Sequence, residues 1–203
     1  MTFERAMVIL FTKVAQTVIA ERFTHTFFDN DGNRVRKVFA YLFSVFIAIF
    51  VNLFFHKPIF NFLSIFLGLS AIALSYNGTI KRKCIFVFYI LAVSCLIDLV
   101  VSAFLIKPFG YDGYSAFVSI FALLLLHATQ LITERFFEND LGIELNNRYW
   151  LFIIASLLVC IITSIVIFMD KTVSSFSLSL VCGAFLLVNI IISYLMDDLV
   201  KSS

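Results

Sequence analysis

Long apolar runs, separated by short polar stretches, dominate the pattern of this chain. Seven runs have the length and character of helices that cross a bilayer, for which about 20 mostly apolar residues are needed. They cover residues 7–23, 38–55, 59–76, 84–106, 114–133, 149–169 and 174–196. The pattern predicts an all-α, polytopic bundle of seven transmembrane helices. We expect one domain over residues 1–203 and no soluble domain.

Composition supports the membrane class. Hydrophobic residues make up 62% of the chain and charged residues only 14%, whereas a soluble domain has about 25% charged residues. The four cysteines lie singly in or beside apolar runs, and no phosphate-binding, zinc-binding or nucleophile motif is present. We therefore expect no enzymatic activity, no catalytic residue, no metal, no cofactor and no nucleic-acid partner.

The basic residues predict how the bundle is oriented. Cytoplasmic loops of membrane proteins carry an excess of Lys and Arg. Two clusters lie in connections that a seven-helix chain places on the same side: Arg34, Arg36, Lys37, Lys81, Arg82 and Lys83. With that side inside, nine Lys or Arg are inner and four are outer. This predicts an outer N-terminus and an inner C-terminus.

A short internal similarity suggests a repeat. Residues 14–23 (VAQTVIAERF) and 127–136 (HATQLITERF) share Ala, Ile and the Glu-Arg-Phe triplet at an offset of 113 residues. The same offset carries the second predicted helix onto the sixth and most of the third onto the seventh. The chain is therefore compatible with a 3+1+3 parallel repeat, in which the fourth helix is the linker.

Lys13 and Asp98 are the charges placed deepest in predicted helices. At 1.5 Å per residue, they lie about 3 Å and about 4 Å to the outer side of their helix midpoints. A charge at this depth is costly and usually finds a partner inside the bundle. We predict that the two pair, either as a ligand contact or switchable ion pair, or as a static structural pair.

Two further groups of polar residues are candidate site residues. Toward the outer side, an external pocket is predicted from Asn52, Asn61, Tyr111, Asp112 and Tyr114, although interfacial anchoring also explains the tyrosines. In the inner half, a layer of interhelical hydrogen bonds is predicted from Gln16, Glu21, His127, Gln130 and Asn189. For His127, proton sensing is the alternative to a satisfied core histidine.

Several segments resemble the membrane sensor region of Agr-type, GHKL-family histidine kinases. They are NGTIKRK (77–83) leading into a helix with a central acid in IDLVVS (97–102), FFDNDGNRVRK (27–37), LNNRYW (145–150) and VNIIISYLMDDL (188–199). The resemblance covers essentially the whole chain. Asp98 differs mildly from the family, which more often has Glu there.

The resemblance implies a receptor in the inner membrane of a bacterial cell for an extracellular signal, often a secreted peptide. The seventh helix would pass the signal to a cytoplasmic kinase, and the chain would form a homodimer through this helix. The kinase phosphoacceptor and ATP-binding motifs have no counterpart among these residues, whose histidines are His25, His56 and His127. The chain is thus either a sensor fragment or a standalone relative.

Three other functions are alternatives to a receptor. A peptide-processing membrane protease needs a neighbouring His and Cys, and the sequence has no such pair. A small-solute transporter similar to the SWEET family agrees with the repeat, but the Pro-Gln hinge of that family is missing because Ala15 and Thr129 precede Gln16 and Gln130. A membrane subunit that only docks a partner is the third alternative.

Overall fold

The chain folds into helices joined by short connections. The structure is a computed structural model that describes residues 3–28, 33–55, 58–111, 115–137, 157–159 and 161–162. Its helices are α1 (Phe3–Phe27), α2 (Arg34–Phe54), α3 (Pro58–Ser75), α4 (Ile80–Val101), α5 (Lys107–Phe109) and α6 (Ala116–Phe137). A π-helical turn, Ser102–Ile106, joins α4 to α5. Within the described ranges no residue lies in a β-strand.

The all-α prediction is confirmed over these ranges. The first five predicted helices correspond to α1, α2, α3, α4 with its continuation, and α6. The predicted sixth and seventh helices, 149–169 and 174–196, fall outside the described residues except for 157–159 and 161–162, which are helical. The count of seven helices and the 3+1+3 repeat depend on those segments and stay predictions.

The basic clusters lie inside helices rather than in the connections where the sequence placed them. The Asn33 side chain accepts a hydrogen bond of 3.0 Å from the Val35 amide and starts α2. Thr79 does the same for the Arg82 amide at 3.4 Å and starts α4. A side chain that accepts from a free amide in the first turn stabilises a helix start, so Arg34 and Lys81 fall in first turns.

The connections place alternate helix ends together. α2 and α3 form a close antiparallel hairpin, while α1 packs on α2 and α6, and α4 packs on α3 and α6. We call the basic end the end of the bundle where α1, α3 and α6 finish and α2 and α4 begin. All seven basic residues of the clusters and of the last turn of α6 belong to it: Arg34, Arg36, Lys37, Lys81, Arg82, Lys83 and Arg135.

Aromatic rings fill the core of the basic end. Phe28 stacks on Tyr76 with centroids 5.4 Å apart and meets Phe86 edge-on at 5.2 Å. Phe27 contacts Phe86 at 5.6 Å and Tyr89 at 5.7 Å. Such ring pairs contribute about 0.5–1.5 kcal/mol each beyond the area they bury. The end of α1 is thereby fixed against α3 and α4.

Hydroxyl groups connect the same helices beside the rings. The Thr24 hydroxyl lies 3.2 Å from that of Tyr41 and 3.0 Å from that of Tyr76, and the two tyrosine hydroxyls are 3.0 Å apart. The Lys37 ammonium lies 4.2 Å from the centre of the Tyr76 ring. This triangle joins α1, α2 and α3, because hydroxyls buried away from water need partners inside the bundle.

Three described helices are long and apolar enough to cross a membrane, over Arg34–Asn52, Ile80–Ile106 and Ala116–Arg135. α3 is apolar but shorter, and α1 carries five charged residues, Glu4, Arg5, Lys13, Glu21 and Arg22. The surface of α2 also fits a membrane-spanning helix, because its large apolar side chains Phe39, Leu42, Phe46 and Phe54 are all exposed. Contiguous apolar surfaces of this size are rare on soluble monomers. The described residues therefore have the construction of a helical membrane protein.

Gly68 sets the distance between α2 and α3. A Cβ atom added at Gly68 would overlap the Ser44 Oγ, and it would lie 3.1 Å from the Ser44 Cβ and 3.3 Å from the Ser44 Cα. Small residues let membrane helices approach closely and gain van der Waals contact. The two positions act as one small-residue contact in the hairpin.

We expect Gly68→Ala to destabilise the bundle by about 1–3 kcal/mol, because the added methyl group forces the two helices apart. Ser44→Gly removes both side-chain atoms that it would meet, so the double variant recovers part of the loss. The measurement is reversible unfolding of the micelle-bound protein by SDS. A Gly68→Ala cost that Ser44→Gly leaves unchanged contradicts this account of the contact.

Candidate functional site

A cavity with charged and polar groups in a largely apolar wall lies between five helices of the bundle. It has a volume of about 120 Å³. Its wall comes from α1 (Lys13, Gln16, Thr17, Ala20, Phe23), α2 (Ser44, Ala48), α3 (Asn61, Ile65, Leu69), α4 (Ile90, Ser94, Ile97, Asp98) and α6 (Ala122, Leu126). At about 30 Å³ per molecule of liquid water, this is room for about four waters. Such a space between membrane helices is a candidate ligand site.

Lys13 reaches the cavity from α1. Its side chain is buried, with 9% of its surface exposed, and its ammonium donates a hydrogen bond of 3.1 Å to the Gln16 Oε1. Gln16 is one turn further along the same helix, so α1 supplies both groups. The hydrogen bond holds the ammonium at the cavity wall and leaves its remaining N–H donors for other partners.

Asp98 lines the same cavity from α4, and unlike Lys13 it is exposed. Lys13 and Asp98 attract each other electrostatically, yet no nitrogen–oxygen distance between them is within the 4.0 Å of an ion pair. The predicted ion pair is therefore not formed, although both side chains line the same cavity. Within the described part of the chain, the Asp98 carboxylate has no hydrogen-bond partner.

The helix that carries Asp98 changes its winding just beyond it. The Ser102 amide donates to the carbonyls of both Asp98 and Leu99, and the π-helical turn begins at Ser102. π-helical turns are rare and occur often at functional sites. The altered winding places the Asp98 backbone at a junction between two helical geometries.

Uncharged polar groups complete the wall. The Asn52 amide donates 2.8 Å to the Ala48 carbonyl and 2.9 Å to the Asn61 Oδ1, which joins α2 to α3 and orients Asn61 at the cavity. Ser44 and Ser94 face the cavity from opposite helices. Neither hydroxyl has a hydrogen-bond partner among the described residues. Together with Asp98, these groups are available to a molecule in the cavity.

The predicted external pocket is only partly assembled. Asn52 and Asn61 bond to each other, and Asn61 lines the cavity. Tyr111 does not, because it is exposed and packs against Phe109 at 6.2 Å and Phe117 at 5.5 Å. Asp112 and Tyr114 lie outside the described residues.

The predicted inner polar layer is divided. Gln16 lies at the cavity, whereas Glu21 is exposed, because five residues along a helix turn a side chain by about 140°. His127 is half-buried. Gln130 is fully buried, and neither polar atom of its amide has a hydrogen-bond partner within the described ranges. Asn189 lies outside those ranges.

Sequence reasoning missed Ser44, Ser94 and Thr17 as cavity residues. Helical spacing is the signal that identifies them, since Ser94 precedes Asp98 by four residues and Thr17 follows Lys13 by four. Residues four apart lie on the same helix face. Following the helix face that carries each deep charge therefore identifies Ser94 and Thr17. Ser44 precedes Asn52 by eight residues, which places it on the same face of α2.

No family model, curated protein or solved structure matches this chain. Over the described residues, no group of three or more His, Cys, Asp or Glu side chains is placed to hold a metal ion. The chemistry of the site is thus the chemistry of its opposed charges and its uncharged polar groups.

A double-mutant cycle tests the coupling between the two charges. We expect Asp98→Asn to destabilise a chain that contains Lys13 more than a chain that carries Lys13→Met, because the lysine loses its counter-charge. The expected coupling is about 0.5–3 kcal/mol, measured by SDS unfolding in micelles.

Thr12→Val is the matched control on α1, because the Thr12 hydroxyl donates to the Val8 carbonyl of its own helix at 2.7 Å. It should show no coupling to Asp98→Asn. Additive effects of the Lys13 and Asp98 substitutions contradict an electrostatic link across the cavity.

Proposed function

We propose that the chain is a membrane-embedded sensor domain that receives an extracellular signal. The observation that carries this proposal is the cavity with Lys13 and Asp98 in its wall. A charged group within the membrane costs at least about 2.5–3.5 kcal/mol on insertion scales, and such groups usually serve function. A cavity lined from five helices also lets one ligand change the packing of the whole bundle.

The orientation of the sensor follows from the basic end. With Lys81, Arg82, Lys83 and the start of α2 in the cytoplasm, the positive-inside rule is satisfied. Asn61 near the start of α3 and Asp98 in the later half of α4 then lie toward the extracellular side. A signal from outside reaches this side of the cavity first.

The mode of signalling is proposed from the resemblance to Agr-type sensors. In this proposal the last helix moves relative to its mate in a homodimer, and the movement controls a cytoplasmic histidine kinase of a two-component, quorum-sensing system in a bacterial inner membrane. A secreted peptide, the signal that the resemblance implies, would insert no more than a residue or so into a cavity of about 120 Å³.

A small-solute transporter is the second candidate. A polar site near the middle of a helical bundle is typical of secondary transporters, and the cavity supports this function as well as the first. The two functions differ in what happens after binding, because a transporter releases its ligand on the other side and a receptor does not.

Reconstitution into proteoliposomes separates the two. With radiolabelled amino acids and sugars supplied outside, the sensor proposal predicts no uptake above that of protein-free vesicles. Any retained label should saturate at one molecule per chain and stay the same when the vesicles are permeabilised. Uptake that continues past this stoichiometry, and that permeabilisation releases, refutes the receptor and supports the transporter.

A further inference from the structure

The charges in the cavity are opposite, and they are unpaired with each other. Lys13 lies on α1 and Asp98 on α4, both in the wall of one space, and their charged atoms are not within ion-pair distance. Two opposite charges in a medium of low dielectric attract strongly, and direct contact lowers their energy. A separation maintained across a cavity therefore leaves room for a third group between them.

The sign of the charges limits what that group is. A simple cation is attracted by Asp98 and repelled by Lys13, while the reverse holds for a simple anion. A neutral apolar molecule leaves the Asp98 carboxylate without a hydrogen bond and the Lys13 ammonium with only its bond to Gln16, which is unfavourable for charged groups away from water. A molecule that carries one charge of each sign contacts both walls favourably.

The uncharged groups suit the same ligand. Ser44 and Ser94 have hydroxyls without hydrogen-bond partners within the described part of the chain, and Asn61 keeps its amide donors because its Oδ1 accepts from Asn52. Ser94 lies one turn before Asp98 on α4, beside the carboxylate. The cavity volume of about 120 Å³ is a little below the roughly 150 Å³ of a cavity that binds benzene, so a ligand of about five to seven non-hydrogen atoms is the right size.

We propose that the cavity binds a small zwitterion, a molecule of the size and charge of a small free amino acid. Its ammonium donates to the Asp98 carboxylate, and its carboxylate accepts from the Lys13 ammonium. In this inference a small zwitterion takes the place of the secreted peptide as the signal, and the inference rests on the proposed sensor only for what binding achieves.

The test is thermal unfolding of the detergent-solubilised chain with glycine, alanine and serine as probes. Each is compared with its amide, which lacks the carboxylate, and with the matching hydroxy acid or fatty acid, which lacks the ammonium. We expect at least one zwitterion to raise the unfolding midpoint with saturation, since a ligand that binds the folded state stabilises it. Analogues with one charge should have little effect.

Variants test the two contacts. Lys13→Met and Asp98→Asn should each weaken binding about tenfold or more, as expected when a charged hydrogen bond is lost. A chain with both Lys13→Asp and Asp98→Lys keeps one charge of each sign in the cavity, with the acid now on α1 and the lysine on α4. It should recover part of the binding, because a zwitterion can turn around, whereas a merely structural role of either residue gives no such recovery.

A cavity that holds water only is the result that overturns the inference: none of the probes then shifts the midpoint of a chain that unfolds cooperatively. Equal effects of a zwitterion and its amide also overturn it. Zwitterion binding in a chain that shows neither signalling nor transport leaves the ligand site in place and refutes the proposed function. Signalling by the whole protein without zwitterion binding refutes the ligand site and leaves the proposed function in place.

Discussion

The bundle is organised around two charged side chains, Lys13 and Asp98, that line one cavity between its helices. Lys13 lies about two-fifths of the way along α1, with apolar Phe11 and Val14 exposed around it, and the helix tolerates it because its ammonium turns inward to Gln16 and to the cavity that Asp98 also lines. The burial of Lys13 orients α1, which is the least apolar of the long helices. It also places α4 opposite α1 and leaves the cavity between them.

The basic end satisfies a different constraint. Positive side chains at the starts of α2 and α4 oppose the helix dipole, which favours negative groups there, so local helix stability does not explain them. Their position is the one that the proposed orientation, with this end in the cytoplasm, requires. The rings of Phe27, Phe28 and Phe86 and the hydroxyls of Thr24 and Tyr76 then hold the same end together. One end of the bundle is thus fixed by packing and hydrogen bonds, while the polar cavity lies further along.

Sequence pattern predicted the helical class well, because runs of apolar residues of membrane-spanning length have few other structures available to them. It also placed Lys13 and Asp98 at matching depth, since rise per residue is constant in a helix. Helix rotation was harder to predict. Glu21 was grouped with Gln16 although it points away, and Ser44 was overlooked because a single serine in an apolar run gives no signal until the neighbouring helix is known.

Direct contact could not be predicted for a related reason. Depth along two helices says that Lys13 and Asp98 are level, but the distance between them depends on packing at other places. The close approach of Gly68 to Ser44 brings α2 and α3 together, and α1 and α4 meet over a smaller area than that hairpin. The cavity is the space that results, and no local pattern in either α1 or α4 reveals it.

Cross-linking in membranes tests the central claim, that α1 and α4 present Lys13 and Asp98 to one shared cavity. The chain is prepared with Lys13→Cys and Asp98→Cys and with its four natural cysteines changed to serine, then treated with a short bifunctional thiol reagent. A second chain carries Val14→Cys with Asp98→Cys, because Val14 is the next residue on α1 and is exposed on its outer face. The account predicts an internal cross-link in the first chain and little or none in the second. Equal cross-linking of both chains, or none in the first, contradicts it.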